Sequence, residues 1–492
     1  MNIKYDLVII GAGPAGYEAA ARAAAYGMKT ALIEEKELGG TCLNRGCIPT
    51  KAMLHTTELM NECRQQMEEG IFDAPPVCDF RKLAERRQKV VDTLRSQVED
   101  LLKRGKVDVI AGRGRITAPG MVEVTAGRKA SDGRKASDGW NDAANTGGSV
   151  RMQGEAQAAQ QTGDGEKTVL CAGNILIAAG SSSAKLPVPG ADLPGVIDSD
   201  GVFALTEIPE ELVIVGGGVI GVEIASVFST LGSKVTIIEM LPRILPNMDR
   251  ELGQNLALIL KKQGVEIHAK AGLKRIDKAD HGKLTCVYEE KGKECAASAD
   301  KVLIATGRRA NVSGIADDSL GLKIDRGIVT DEHGFTGVPG IWAAGDVTAG
   351  SPLLAHYASA AACAVIDRIA GKESSTDLKL VPACIYTSPE IACVGMTEEA
   401  AKAAEIRVKT KKAVMHGNAR TVISGAGRSF MKVVFEEETG VILGAQLMCS
   451  RASDMIDEFT LAVEKQLTLK EMGCIIRPHP SFVEAAGDLF RL

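Results

Sequence analysis

Four short runs of consecutive apolar residues stand out along the chain, each leading into glycine or other small residues. They are Tyr5-Asp6-Leu7-Val8-Ile9-Ile10, Asn174-Ile175-Leu176-Ile177-Ala178-Ala179-Gly180, Leu212-Val213-Ile214-Val215 and Lys301-Val302-Leu303-Ile304-Ala305-Thr306-Gly307. Runs of this length without polar alternation predict strands buried on both faces, as in a parallel sheet. An alanine-rich helical stretch follows the first run, and the strand Thr30-Ala31-Leu32-Ile33 follows that helix. The third run is succeeded in the same way by a helix to about 228 and the strand Lys234-Val235-Thr236-Ile237-Ile238. The same succession therefore occurs twice, and strand–helix–strand alternation predicts parallel α/β sheets. Between the two copies, 80–104 has apolar positions at helical spacing, Leu83, Val90, Val91, Leu94, Val98, Leu101 and Leu102, and predicts a helix packed on the surface of the first. Short strands are expected at 107–110 and 121–124. From about 376 the glycine turns cease, and alternating strands interleave with helices at 397–404 and 452–465, an α+β pattern.

The turns in the two copies carry chemistry. The first is Gly11-Ala12-Gly13-Pro14-Ala15-Gly16, the second Gly216-Gly217-Gly218-Val219-Ile220-Gly221. In such a turn the first glycine permits the bend, the second admits a pyrophosphate to the backbone, and the third lets helix and strand touch. The helix N-terminus then faces the phosphates with the positive end of its dipole. Glu34 and Glu239 each close the next strand, eighteen positions past the last glycine (34 − 16 and 239 − 221), where a carboxylate accepts from ribose hydroxyls. Two units imply two dinucleotides. A carboxylate at 239 repels a 2′-phosphate, so NAD is expected over NADP.

The centre of the chain's chemistry is Gly39-Gly40-Thr41-Cys42-Leu43-Asn44-Arg45-Gly46-Cys47-Ile48-Pro49-Thr50-Lys51, ahead of a helix expected from 51 to about 64. Helical positions five apart have Cα atoms roughly 8–9 Å apart, whereas a disulfide needs roughly 4.4–6.8 Å. Joining Cys42 to Cys47 therefore requires a distorted first turn, which Gly46 and Asn44 are suited to allow. A helix N-terminus favours thiolate. The pattern reads as a reducible dithiol, with Arg45 adding a charge that could shift thiol pKa or tune substrate approach.

Composition narrows the field further. The 492 residues exceed one core, and 45% apolar with 25% charged residues is ordinary for a globular chain. A net charge of −5 and only 4% aromatic residues exclude a nucleic-acid-binding footprint. The twelve cysteines are otherwise scattered, which predicts no metal site and a reducing, cytoplasmic setting. No run is long enough to span a bilayer. Gly127-Arg128-Lys129-Ala130-Ser131-Asp132 is repeated almost unchanged at 133–138 and opens a stretch to about 165 nearly devoid of apolar residues. It is expected to be an expanded, mobile surface insert.

The segment from Gly39 to Lys51, with both glycine turns, resembles the flavin disulfide oxidoreductases, and within them the branch that oxidises dihydrolipoyl groups. The likeness runs from about Tyr5 to Leu492, with Arg45 and Thr50 as departures. It implies α/β architecture with two Rossmann-like domains of three-layer ββα type and a C-terminal α+β dimerisation domain. The expected boundaries are 1–189 with 302–375 for FAD, 190–301 for NAD, and 376–492 for the dimer interface. By resemblance, FAD is held by Gly11, Gly13, Gly16, Glu34, Lys51, Gly180, Asp346 (on the ribityl chain) and the backbone at Ala355, while His356 is structural. NAD falls to Gly216, Gly218, Gly221, Glu223, Glu239 and Gly307, with Lys51 paired to Glu223. Cys42 is the interchange thiol and Cys47 lies next to the flavin. His479, in Arg477-Pro478-His479-Pro480, matches the base and Glu484 its orienting carboxylate, both serving the neighbouring subunit of a homodimer. The expected partner is a lipoylated carrier of a 2-oxoacid dehydrogenase or glycine-cleavage complex. The alternative is NADH-driven reduction of another low-molecular-weight disulfide.

Overall fold

The computed structural model describes residues 4–126 and 167–491, so the insert expected at 127–165 lies outside the described residues. The first parallel sheet is built on Tyr5–Ile10, flanked by Thr30–Glu34 (Leu7 beside Thr30) and Lys167–Ile177 (Leu7 beside Asn174). Asp108–Ala111 extends it on one side and Ile341–Ala343 on the other, with Ile341 beside Ile175. The early half of Lys167–Ile177 turns to other partners. It pairs antiparallel with Met121–Thr125, which pairs in turn with Arg113–Ala118. Leu7, Val8, Ile9, Leu176 and Ile177 are fully buried, as runs apolar on both faces require. Truncating one such leucine to alanine costs about 2–5 kcal/mol.

Helix α1 (Pro14–Ala25) packs its alanines onto this sheet. Two helices, α2 (Gly40–Arg45) and α3 (Cys47–Glu68), follow in place of the single one expected from 51 to 64. Helix α4 (Phe80–Arg104) occupies the predicted 80–104. Asp79 caps it by accepting from the amides of Arg81 and Lys82, and Leu83, Val91, Val98 and Leu102 form its buried stripe.

The second unit repeats the plan. Five parallel strands run in the order Glu266–Ala269, Lys234–Glu239, Glu211–Val215, Lys301–Ile304, Val196–Ile197, with α5 (Val219–Leu231) after the glycine turn. The three antiparallel strands between Ala271 and Ala299 mirror those of the first unit. Ser181–Ser183 pairs with Arg308–Ala310, so the two chain crossings between the units are hydrogen-bonded together. The C-terminal part is a five-stranded antiparallel sheet with helices against it, as the alternation from 376 predicts. It is tied to the second unit by a buried ion pair, Lys432 Nζ to Asp249 Oδ2 at 2.6 Å. Among the described residues no helix is long and apolar enough to cross a membrane, and no cluster of three or more His, Cys, Asp or Glu could hold a metal ion.

Candidate active site

Both glycine turns open on one cleft of about 2330 Å³, more than twice the upper end of an ordinary small-molecule site of roughly 300–1,000 Å³. Of the residues predicted to hold dinucleotides, Gly11, Gly13, Glu34, Lys51, Gly180, Asp346 and Ala355 line it, as do Gly216, Gly218, Glu223, Glu239 and Gly307. Gly16 and Gly221 do not line it and sit where helix meets strand. A Cβ there would stand 1.8 Å from the Gly11 carbonyl oxygen and 2.0 Å from that of Gly216. Gly11 and Gly216 take φ of +101° and +111°, which only glycine adopts without strain. At Gly218, by contrast, a Cβ would project into open space, and at Gly13 it would meet only the Gly40 Cα, at 3.9 Å. Those are the positions where backbone must lie bare for a pyrophosphate, so the residues present fit two dinucleotides.

The two carboxylates predicted for ribose are tied to their own loops. Glu34 accepts from the amides of Ala12 (2.7 Å) and Lys36 (2.8 Å), and Glu239 from Gly217 (2.5 Å) and Leu241 (2.6 Å). The matching pattern in both units holds each carboxylate at the cleft wall. Asp346 accepts from Ser181 Oγ at 2.6 Å, and Arg308 grips the same serine through Oγ (2.7 Å) and carbonyl (2.6 Å). His356 bonds the Pro382 carbonyl at 2.7 Å and lies on the cleft wall.

The dithiol segment shows how the distortion is achieved. Cys42 lies on α2 and Cys47 opens α3, with the break at Gly46 (φ −141°, ψ −108°). Asn44 stays helical instead of taking unusual dihedrals. Its amide donates to the carbonyls of Leu38 (2.8 Å) and Gly40 (2.9 Å), tying α2 to the turn before it. Both cysteines are thiols here and share a hydrogen bond. Donation from Cys42 brings the Cys47 thiol down from an ordinary 9.0 to about 7, Lys51 adding to the fall against the opposing effect of burial. The same bond, together with burial, pushes Cys42 up.

Lys51 meets Glu223 at 2.7 and 3.0 Å, the expected pair, with Glu223 only 3% exposed. Two further contacts escaped sequence reading. The Tyr386 amide donates to Glu223 Oε1 at 3.0 Å, and the Tyr386 ring lies 4.7 Å beneath Lys51 Nζ. Arg45 corrects an expectation. It is engaged by Glu37 (2.6 Å) and Asp200 (3.3 Å), and the cation acting on the thiols is Lys51.

A family model described as pyridine nucleotide-disulphide oxidoreductase matches residues 5–362, and the model of that family's dimerisation domain matches 381–489. The chain belongs to this oxidoreductase family. FAD and NAD, expected from the sequence, are this family's cofactors. Among its relatives, the dihydrolipoyl dehydrogenase of Bacillus subtilis (strain 168) is 36% identical over 99% of this chain and 98% of its own. Dihydrolipoyl dehydrogenase 3 of Pseudomonas putida is 37% identical over 98% and 96%. Among solved structures, the HOCl-induced flavoprotein disulfide reductase RclA from Escherichia coli superposes with a TM-score of 0.81 at 29% identity, covering 99% of both chains.

The oxidoreductase's remaining predicted pair lies in the part matched to the dimerisation domain. His479 Nδ1 meets Glu484 Oε1 at 2.8 Å, and the Ser481 amide donates to Glu484 Oε2 at 2.8 Å. The amide first and the imidazole second hold the Glu484 carboxyl below its usual range. The His479 side chain is 72% exposed and is absent from the lining of its own chain's cleft.

Proposed function

We propose that the protein is a dihydrolipoyl dehydrogenase: it oxidises dihydrolipoyl groups on a carrier protein and reduces NAD+ to NADH. The observation that carries the reading is the Cys42–Cys47 pair beside Lys51–Glu223, in a cleft shared by two glycine turns. Full-length identity of 36–37% to dihydrolipoyl dehydrogenases supports the substrate class. In this reading the site is completed in a homodimer, because an exposed His479–Glu484 pair outside its own cleft is suited to reach a neighbour's.

His479 takes the proton from a substrate thiol. The thiolate attacks Cys42 Sγ of the oxidised pair, breaking the Cys42–Cys47 bond and releasing Cys47 as a thiolate. The second substrate thiol attacks the mixed disulfide and displaces Cys42. The substrate thereby loses two electrons, and the protein disulfide gains them. Lys51 stabilises the Cys47 thiolate, and Glu223 with Tyr386 keeps Lys51 in place. Bound FAD supplies the two-electron relay from dithiol to nicotinamide. Glu239 selects NAD over NADP, and the scattered cysteines suit the cytoplasm.

The likeness to RclA supports a second reading, NADH-driven reduction of another disulfide. Steady-state assays with dihydrolipoamide, a lipoylated carrier and glutathione, each with NAD and NADP, separate the two. The proposal expects dihydrolipoamide with NAD+ to give the highest kcat/KM. Turnover confined to disulfide reduction by NADH would favour the second reading.

A further inference from the structure

The residues that deliver His479 follow from how its segment is held. Residues 474–480 lie at the surface, with His479 itself 72% exposed and Ile476 almost fully so. One side chain in that stretch turns inward. The Arg477 side chain is 6% exposed. Its guanidinium pairs with Glu458 on the helix Ala452–Glu464, and donates to the carbonyls of Ile475 (3.2 Å) and Met472 (3.4 Å). It also stacks 5.2 Å over the ring of Phe490 in the last helix. Beyond the histidine the chain is fixed again, by Asn418 Nδ2 on the Ser481 carbonyl (2.9 Å) and by the Ser481 amide on Glu484. His479 thus sits on an exposed arch with a buried footing at one end and a polar one at the other.

We propose that Arg477 is a positioning residue for His479, its buried pair with Glu458 setting where the imidazole stands relative to the neighbouring subunit's Cys42. The inference rests on the reading of His479 as the base. A planar guanidinium with several directed donors fixes a loop better than an apolar side chain, which packs without direction. Misplacing a catalytic group by about 1 Å costs up to roughly a hundredfold in rate.

The test compares FAD-loaded Arg477→Met, Glu458→Gln and His479→Gln proteins with the parent. Three quantities are measured: dihydrolipoamide-driven NAD+ reduction, NADH-driven ferricyanide reduction, which uses neither the thiols nor His479, and amide exchange over 475–483. Arg477→Met and Glu458→Gln are expected to lose roughly ten- to a hundredfold in kcat with dihydrolipoamide, at a KM within about twofold of the parent. Ferricyanide reduction should persist and exchange in the arch should quicken. Dithiol turnover within twofold of the parent in both variants overturns the proposal, as does an equal loss in both reactions, which marks a merely structural role. If Arg477→Met does not fold, Glu458→Gln decides alone. His479→Gln retaining dithiol turnover would instead overturn the assignment of the base.

Discussion

Replacing Cys42 by alanine removes the donor that does most to hold Cys47 as a thiolate. The fall of the Cys47 thiol from 9.0 to about 7 amounts to about 3 kcal/mol in favour of the charged form. At pH 7 half of a thiol of pKa 7 is ionised, against about one part in a hundred at pKa 9, an approximately fiftyfold difference. A more basic thiolate is also a better nucleophile. With a Brønsted slope of roughly 0.4–0.5, two pH units recover about eightfold. The alkylation rate at pH 7 therefore drops only about sixfold, and a single-pH measurement would understate the change. The informative assay is the pH profile of iodoacetamide labelling of Cys47, followed on its own peptide in the reduced protein. The midpoint should move from near 7 toward 9 in Cys42→Ala. Adding Lys51→Met should move it further, because burial and Glu223 then oppose ionisation without a cation nearby. A midpoint that stays near 7 in Cys42→Ala would refute the account of what lowers it.

Three other outcomes follow from the geometry. Lys432→Met leaves the Asp249 charge buried without its cation and should lower stability in urea by about 3–5 kcal/mol, with much of the loss recovered in Lys432→Met/Asp249→Asn, which removes the charge but keeps the cap on the Glu251 amide; a loss under about 1 kcal/mol contradicts the importance of that pair. Glu239→Arg should raise the NADPH-to-NADH preference by more than about tenfold, and unchanged cofactor ratios would count against the carboxylate's role. Gly221→Ala forces a Cβ to 2.0 Å from the Gly216 carbonyl oxygen and should distort the second turn, visible in thermal melts, whereas Gly218→Ala meets nothing within 4 Å and should fold normally yet bind NADH weakly; equal melting of the two variants would undo that distinction.

What could be read from the sequence is what backbone sterics dictate locally. Gly11, Gly16, Gly216 and Gly221 announce themselves because no other residue fits, and Glu34 and Glu239 follow at a fixed distance along the chain. Cys42 and Cys47 are legible from the conflict between helical spacing and sulfur bonding. How the conflict resolves was less legible. A six-residue helix such as α2 is too short to leave a periodic signature, and Asn44 acts through hydrogen bonds where unusual dihedrals were anticipated. The partners of Arg45 lie 8 positions away at Glu37 and 155 away at Asp200 (200 − 45), a separation that local pattern does not bridge. The Tyr386 contribution to Glu223 comes partly from a backbone amide, which nearly any residue could supply, so no sequence signal exists for it. Arg477 looked like a flanking residue of the His-Pro motif. Its role emerges only once Glu458, Met472 and Phe490 are folded around it.

The most direct test of the central claim is a count of accessible thiols during turnover. Oxidised protein is treated anaerobically with one equivalent of dihydrolipoamide, alkylated and mapped peptide by peptide, with and without subsequent NAD+. The account predicts that dihydrolipoamide exposes Cys42 and Cys47 together and no other cysteine, and that NAD+ closes them again with formation of one equivalent of NADH. Labelling of those two cysteines that does not respond to dihydrolipoamide, or NADH formed while both stay protected, would contradict it.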